Sequence, residues 1–288
     1  MAACTEGTTP HKVFWLLEIL SYCAVDAFAL ISGYTATDKM RKFEKLADMW
    51  FQAFFYSFVI TAILTIAGLN PGWNVKGLIK SALPVTFGVF WYFTAFFALF
   101  FAIPVLNRFV FAVDEKAARR AILLLMTLFS GMELLAGAFN TQGGYSALWL
   151  MVLYCVGVLA KQGKVFERRN SLTLIAVWIV CVLITWFVQV FIGSGRLTSY
   201  VSPTIVASGL IMVVLFSRLR LKGTVVEKLS PLVFGIYLFQ LNPVIWNTCL
   251  QGRASFAAQA GIAAGVRYVF TIAGGIFLSG LLVEFVRS

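Results

Sequence analysis

Ser171–Ile192 reads SLTLIAVWIVCVLITWFVQVFI, an apolar run without a charged side chain, and its two flanks differ. Lys161, Lys164, Arg168 and Arg169 stand before it, whereas only Arg196 follows before the next apolar stretch. A helix needs roughly 20 apolar residues to cross a hydrocarbon core about 30 Å thick, and this run is long enough. Lipid offers exposed backbone groups no partner, so the crossing has to be helical. Lys and Arg beside a span are retained on the cytoplasmic side, so this segment starts inside and ends outside.

The pattern recurs along the chain. Spans are predicted at Val13–Ala36, Leu46–Leu69, Phe90–Val113, Arg120–Ala138, Tyr145–Ala160, Ser171–Ile192, Tyr200–Phe216, Pro231–Leu250 and Ala257–Phe285. Every second loop is basic: Lys39, Arg41, Lys42 and Lys45; Arg108, Lys116, Arg119 and Arg120; the loop before Ser171; then Arg218, Arg220, Lys222 and Lys228. The alternate loops hold Lys76 and Lys80, then no cation, then Arg196, then Arg253. Nine spans with a basic first loop put the N-terminus outside and the C-terminus, at Arg287, inside. Pro84 and Pro104 are expected to kink or delimit the third span, and Pro243 the eighth. With no internal repeat or linker, residues 1–12 read as an extracytoplasmic tail and 13–288 as a single domain. The fold class is all-α, a polytopic transmembrane helical bundle. Met1–Lys12 has neither a basic n-region nor a cleavage site, so the expectation is that one more helix precedes Val13.

Composition agrees. Of 288 residues, 60% are hydrophobic and 12% charged, a balance foreign to soluble domains. The net charge of +11 sits in short loops beside spans, where orientation and anionic headgroups explain it better than nucleic acid does. Cys23, Cys155, Cys181 and Cys249 lie in apolar segments and Cys4 in the tail, without metal-site spacing or a disulfide framework.

Ionisable groups inside spans demand a partner or a role, because each costs about 3 kcal/mol near mid-bilayer. Asp26 lies mid-way along the first span with Glu18 on nearly the same side, and Glu133 lies toward the outer end of the fourth. Arg267 is a candidate partner for one of these carboxylates. Buried ion pairs or helix caps are one reading of them; a polar cavity holding substrate, with amides from Gln189, Gln240 and Asn242, is the other. Glu284 and Glu18 read as lying near headgroups. Gly33, Gly88, Gly274 and Gly275 suit close helix packing, and Trp73, Trp91, Trp149 and Tyr200 suit interface belts.

Three stretches, taken in order, carry a resemblance. The first is Val25-Asp26-Ala27-Phe28-Ala29-Leu30-Ile31-Ser32-Gly33-Tyr34. The second is Phe90-Trp91-Tyr92-Phe93 followed by Ile103-Pro104-Val105-Leu106-Asn107, and the third runs from Leu229 through Ser230-Pro231, Gly235 and Tyr237 to Gln240. In this spacing the chain, from about Phe14 onward, resembles the acyltransferase 3 family of membrane O-acyltransferases. The resemblance implies a bundle of about ten core helices. It also implies an acyl-CoA co-substrate, acetyl-CoA in the first instance, taken from the cytoplasm of a bacterial cell. The acceptor it implies is a hydroxyl of a cell-surface or lipid-linked carbohydrate. No metal enters.

The resemblance further implies a first-helix histidine in the hydroxyl transfer, preceded by an arginine about three helical turns earlier. This chain's sole histidine is His11, in the tail, and Gln240 stands where many relatives carry another histidine. A sugar hydroxyl needs a base to take its proton as it attacks the thioester, and donors for the resulting oxyanion. Asp26 and Glu133 are the candidate bases in this sequence. Ser32, Gly33, Tyr34, Trp91, Tyr92, Tyr237 and Gln240 are the candidate substrate-binding residues. A proton-coupled transporter or flippase, or a non-catalytic membrane scaffold, is the competing reading of the same buried carboxylates.

Overall fold

The computed structural model describes residues 7–37, 42–219, 223–252 and 261–288. Expectations placed on Cys4, Lys39, Arg41, Arg220, Lys222, Arg253 and the Ala257 start of the last span lie outside the described residues.

Regular structure among the described residues is entirely helical. In chain order the helices are α1 (Thr9–Tyr34), α2 (Phe43–Ile66), α3 (Val75–Ala82), α4 (Trp91–Val110) and α5 (Glu115–Met126). Then follow α6 (Ala147–Gln162), α7 (Ser171–Ile192), α8 (Pro203–Ser217), α9 (Val226–Gln240), α10 (Pro243–Leu250) and α11 (Ile262–Arg287). Their starts follow from local chemistry. Asn74, Asp114, Ser146 and Asn170 each accept a hydrogen bond from a backbone N–H of the first turn, relieving one of the donors that a helix start leaves unpaired. Pro203 and Pro243 take the first-turn position, where the missing N–H is harmless.

Among the described residues six helices, α1, α2, α4, α7, the stretch Gly195–Ser217 and α11, are long and apolar enough to cross a bilayer. The pair α9 and α10, bent by 60° at Leu241–Asn242, makes a seventh as a broken span. The chain is thus an all-helical polytopic membrane protein, with fewer crossings than the nine expected.

Two expected spans fall short, each for a physical reason. In Arg120–Ala138, the charged turn Glu115–Arg120 occupies the start of α5, and the helical run that continues it through Thr127–Met132 and Glu133–Ala136 is closed by Gly137 in the left-handed region (φ 61°). In Tyr145–Ala160, α6 has 16 residues, about 24 Å at 1.5 Å per residue. Leu150, Val152 to Ala160 and Trp149 are all buried, so α6 is sheathed by protein and need not match the lipid. The proline expectations fare better: Pro84 lies in the turn after α3, and Pro243 sits at the break. Helix α4 runs on through Pro104.

Packing divides the chain into two compact units. One holds Met1–His11, Arg41–Thr94 and Leu221–Ser288, the other Lys12–Met40 and Ala95–Arg220. In the first, α9 packs along α11; in the second, α5 packs on α6 and α7 on α8.

Candidate functional site

In the second unit, α1 buries Ile19, Cys23, Asp26, Ala29, Leu30, Gly33 and Tyr34, a stripe at three- and four-residue spacing that forms one helical face. Asp26 is fully buried in that stripe. Its Oδ1 accepts a hydrogen bond from Trp149 Nε1 at 3.3 Å, and its Oδ2 has no hydrogen-bond partner. Trp149, which the sequence assigned to an interface belt, is instead fully buried against this carboxylate. The indole ends up inside because α6 is enclosed on nearly all sides.

Two helical turns further along α1, Gly33 meets α6 backbone to backbone. A Cβ on Gly33 would strike the carbonyl oxygen of Tyr154, and one on Gly157 would strike that of Leu30. The Tyr154 hydroxyl donates to Asn107 Oδ1 at 2.6 Å, so the asparagine of the second sequence motif also fastens to α6. Asp26, Gly33 and Asn107 therefore converge on a helix that none of the motifs marks.

The remaining candidates of this unit have evident partners. Ser32 Oγ donates to Phe28 O at 3.1 Å within its own helix. The Tyr34 hydroxyl reaches Glu167 Oε1 at 3.5 Å, with Lys161 Nζ 5.7 Å from its ring centre. Glu133 accepts from Phe139 N, Thr141 N and Thr141 Oγ1 at 2.7–2.8 Å, so both its oxygens organise the turn that follows. The Glu18 carboxylate accepts from Tyr22 at 3.4 Å, and Gln189 Oε1 from Thr198 at 3.4 Å. Several basic-loop cations close loops: Arg119 donates to Gly163 O, and Arg218 to Ser171 Oγ and Phe166 O. Lys164, hydrogen-bonded to Glu115 at 3.1 Å, holds that carboxyl below its ordinary range, aided by Arg119.

The first unit has its own polar core. Glu284 is buried, its Oε2 accepting from the Tyr56 hydroxyl at 2.8 Å and from Arg287 Nε at 2.9 Å, while its Oε1 takes Arg287 Nη2 at 2.5 Å. The sequence places Glu284 near headgroups; the structure encloses its carboxylate in protein. Tyr56 lies 228 residues away along the chain, beyond the reach of any local spacing. Gly235 makes room for the cluster, because a Cβ there would collide with the Glu284 carboxylate. That is the physical meaning of the glycine in the third motif.

Gly235→Ala is therefore expected to lower the thermal midpoint of the detergent-solubilised protein, on the scale of about 1–3 kcal/mol for overpacking. In a Glu284→Ala background the same change should cost almost nothing, since the obstacle has gone. Equal losses in both backgrounds would show that the two residues do not touch.

The break between α9 and α10 is held by Asn242. Its Nδ2 donates to Tyr56 O at 2.8 Å and Thr61 Oγ1 at 3.0 Å, and its Oδ1 accepts from Val244 N at 2.9 Å and Ile245 N at 3.2 Å. Every hydrogen-bonding position of the amide is filled by protein, so this side chain is a structural bridge. It reaches a carbonyl in a π-helical stretch of α2, Phe55–Val59.

Of the candidates in this unit, the structure brings together Tyr92 and Tyr237, ring centres 6.2 Å apart, with Trp91 stacked edge-on to Tyr92 at 5.5 Å. Phe90 and Phe234 complete the aromatic group around Tyr237. Gln240 is exposed at the end of α9. Arg267, expected to pair with a buried carboxylate, is exposed and makes no salt bridge among the described residues. No cluster of potential metal ligands occurs among the described residues. The close-packing role assigned to four glycines holds for Gly33. Gly88 lies in a turn at φ 61°, and Gly274 and Gly275 face open space.

Comparison with known proteins gives one result. A family model described as an acyltransferase domain, of the acyltransferase 3 type, matches residues 5–284. No curated protein and no solved structure matches the chain. The family match takes in all three motifs and nearly every described helix. This polytopic protein belongs to the acyltransferase 3 family.

Proposed function

We propose that the chain moves an acyl group, acetyl in the first instance, from acyl-CoA to a hydroxyl of a cell-surface or lipid-linked carbohydrate. The setting in this reading is a bacterial inner or plasma membrane, with the C-terminus cytoplasmic. The observation that carries it is the family match over residues 5–284 of a polytopic scaffold. Loop charge supports the orientation, because Lys and Arg crowd alternate loops.

The acceptor oxygen attacks the thioester carbon, the carbon–sulfur bond breaks, and CoA leaves as a thiolate that recovers the proton given up by the hydroxyl. Such a transfer needs a proton acceptor in a water-poor site. The oxygens of Glu133 and Glu284 are committed to hydrogen bonds, whereas Asp26 keeps a buried oxygen without a partner. Asp26 is accordingly the proton acceptor we assign within this chain.

The test is acetyl transfer by the purified full chain in vesicles, with labelled acetyl-CoA and a panel of bacterial glycans. Label should become covalently attached to carbohydrate, and Asp26→Asn should lower kcat by about 100-fold or more. Wild-type kcat in Asp26→Asn removes Asp26 from the chemistry. Proton-gradient-driven uptake of glycan without covalent transfer would replace the enzyme by a carrier.

A further inference from the structure

The first unit contains a cavity of about 590 Å³ that the motifs do not predict. Small-molecule sites span about 300–1,000 Å³, so its size suits one or two sugar rings. Its wall is built in part from the broken span, since Pro243, Val244, Asn247 and Thr248 of α10 face into it. Non-helical backbone at membrane depth is tolerated where it is buried in protein or lines a cavity. Asn242 anchors this wall through all its amide positions, and one of its partners, Thr61, also lines the cavity. The break is thus held open beside a space large enough to use it.

The lining chemistry narrows the ligand. Trp73 and Asn247 are exposed at the cavity and form no side-chain hydrogen bond among the described residues. Asn70 Nδ2 donates to Thr65 Oγ1 at 3.0 Å, which leaves its side-chain Oδ1 open. Among the described residues of the lining, Lys80 is the sole charged one, and no carboxylate joins it. A polyphosphate such as the CoA nucleotide would require several cations. An acyl tail would leave the open amides unpaired, which is costly. A pyranose ring satisfies both requirements: its C–H face lies on an indole, and its hydroxyls both donate to and accept from amides.

We infer that this cavity is a carbohydrate-binding site, taking a neutral or singly acidic hexose. Trp73 is its stacking platform, and Asn247 with Asn70 provides its polar recognition. That the hexose belongs to the acceptor rests on the acyl-transfer reading above; its binding in this cavity does not, and no contact of the cavity with Asp26 is part of it.

The experiment is saturation-transfer NMR on the full chain in lipid nanodiscs free of glycoside detergent. The probes are methyl glucoside, methyl N-acetylglucosaminide, maltose and glucuronate, with no acyl donor present. At least one probe should bind in the millimolar range. Its affinity should fall about tenfold or more in Trp73→Ala and in Asn247→Ala, and stay within about threefold in Trp73→Phe. If Trp73→Ala does not fold, the Asn247→Ala and Trp73→Phe pair decides alone. Stronger binding of an octyl than of a methyl glycoside assigns the hexose to a lipid-linked acceptor, and equal binding assigns it to a free polymer; both results sustain the site. Absence of a signal from every probe, or undiminished binding by Trp73→Ala and Asn247→Ala, overturns it. Binding without acetyl transfer leaves the site standing and retires the enzyme reading. Transfer with an unchanged acceptor KM in both variants does the reverse.

Discussion

Gly157→Ala is expected to separate helices α1 and α6 and to destabilise the second unit strongly. A Cβ at this position would run into Leu30 O, and would lie 2.9 Å from Tyr34 N and 3.1 Å from Gly33 Cα. These obstacles are backbone atoms that cannot rotate away, so relief requires moving one helix bodily. Overpacking typically costs about 1–3 kcal/mol, and a close helix crossing built on backbone contact sits at the upper end. Gly33→Ala should behave alike, because its Cβ meets Tyr154 O across the same crossing. The double variant should fall short of the sum, since one separation accommodates both methyls. Thermal unfolding of the solubilised protein measures the effect. Gly274→Ala and Gly275→Ala, which face open space, are the controls and should leave the midpoint unchanged or slightly raised. A Gly157→Ala midpoint equal to theirs would remove the close crossing from this account.

Asn242→Ala is the second large effect expected. It strands the Tyr56 carbonyl, the Thr61 hydroxyl and the Val244 and Ile245 N–H groups together. Each buried group left without a partner costs about 1–3 kcal/mol, so a loss of about 2 kcal/mol or more follows even if local rearrangement recovers half. Asn242→Asp separates the two roles of the side chain. Aspartate still caps α10, but it presents an oxygen to the Tyr56 carbonyl where an N–H stood. It should therefore be about as damaging as alanine. Wild-type stability in Asn242→Asp would mean that the cap matters and the bridge to α2 does not.

These two sites show how much could be read from the residues in order. Apolar run length and loop charge identified the long helices, because lipid imposes both along the chain itself. Those signals overcounted at α6, whose apolarity answers to surrounding protein rather than to lipid, and at α5, where Arg119 and Arg120 consume part of the run. Gly33 stood out as a small residue on a helix, but its counterpart Gly157 did not, since nothing near it in sequence announces a crossing. Asp26 was visible as a charge in an apolar span. Its partner Trp149 was misread as a belt residue, because an indole near a helix start looks the same in both settings. Tyr56 and Glu284 illustrate the general difficulty: their hydrogen bond joins distant parts of the chain, and each alone resembles an ordinary interfacial residue. The cavity was equally hidden, being assembled from a loop and a helix break that meet only in three dimensions.

The sheathing of α6 has a bearing on how the polypeptide matures. A rod of 16 residues, apolar but buried in the finished protein, is too short to be held securely by bulk lipid alone on leaving the ribosome. It settles only once it docks on α1, which leaves the ribosome before it. Photoreactive fatty acids should accordingly mark α7, whose flanks are largely open, and pass over residues 149–160 in the finished protein. During synthesis the same reagents should catch α6 transiently, before its neighbours close in.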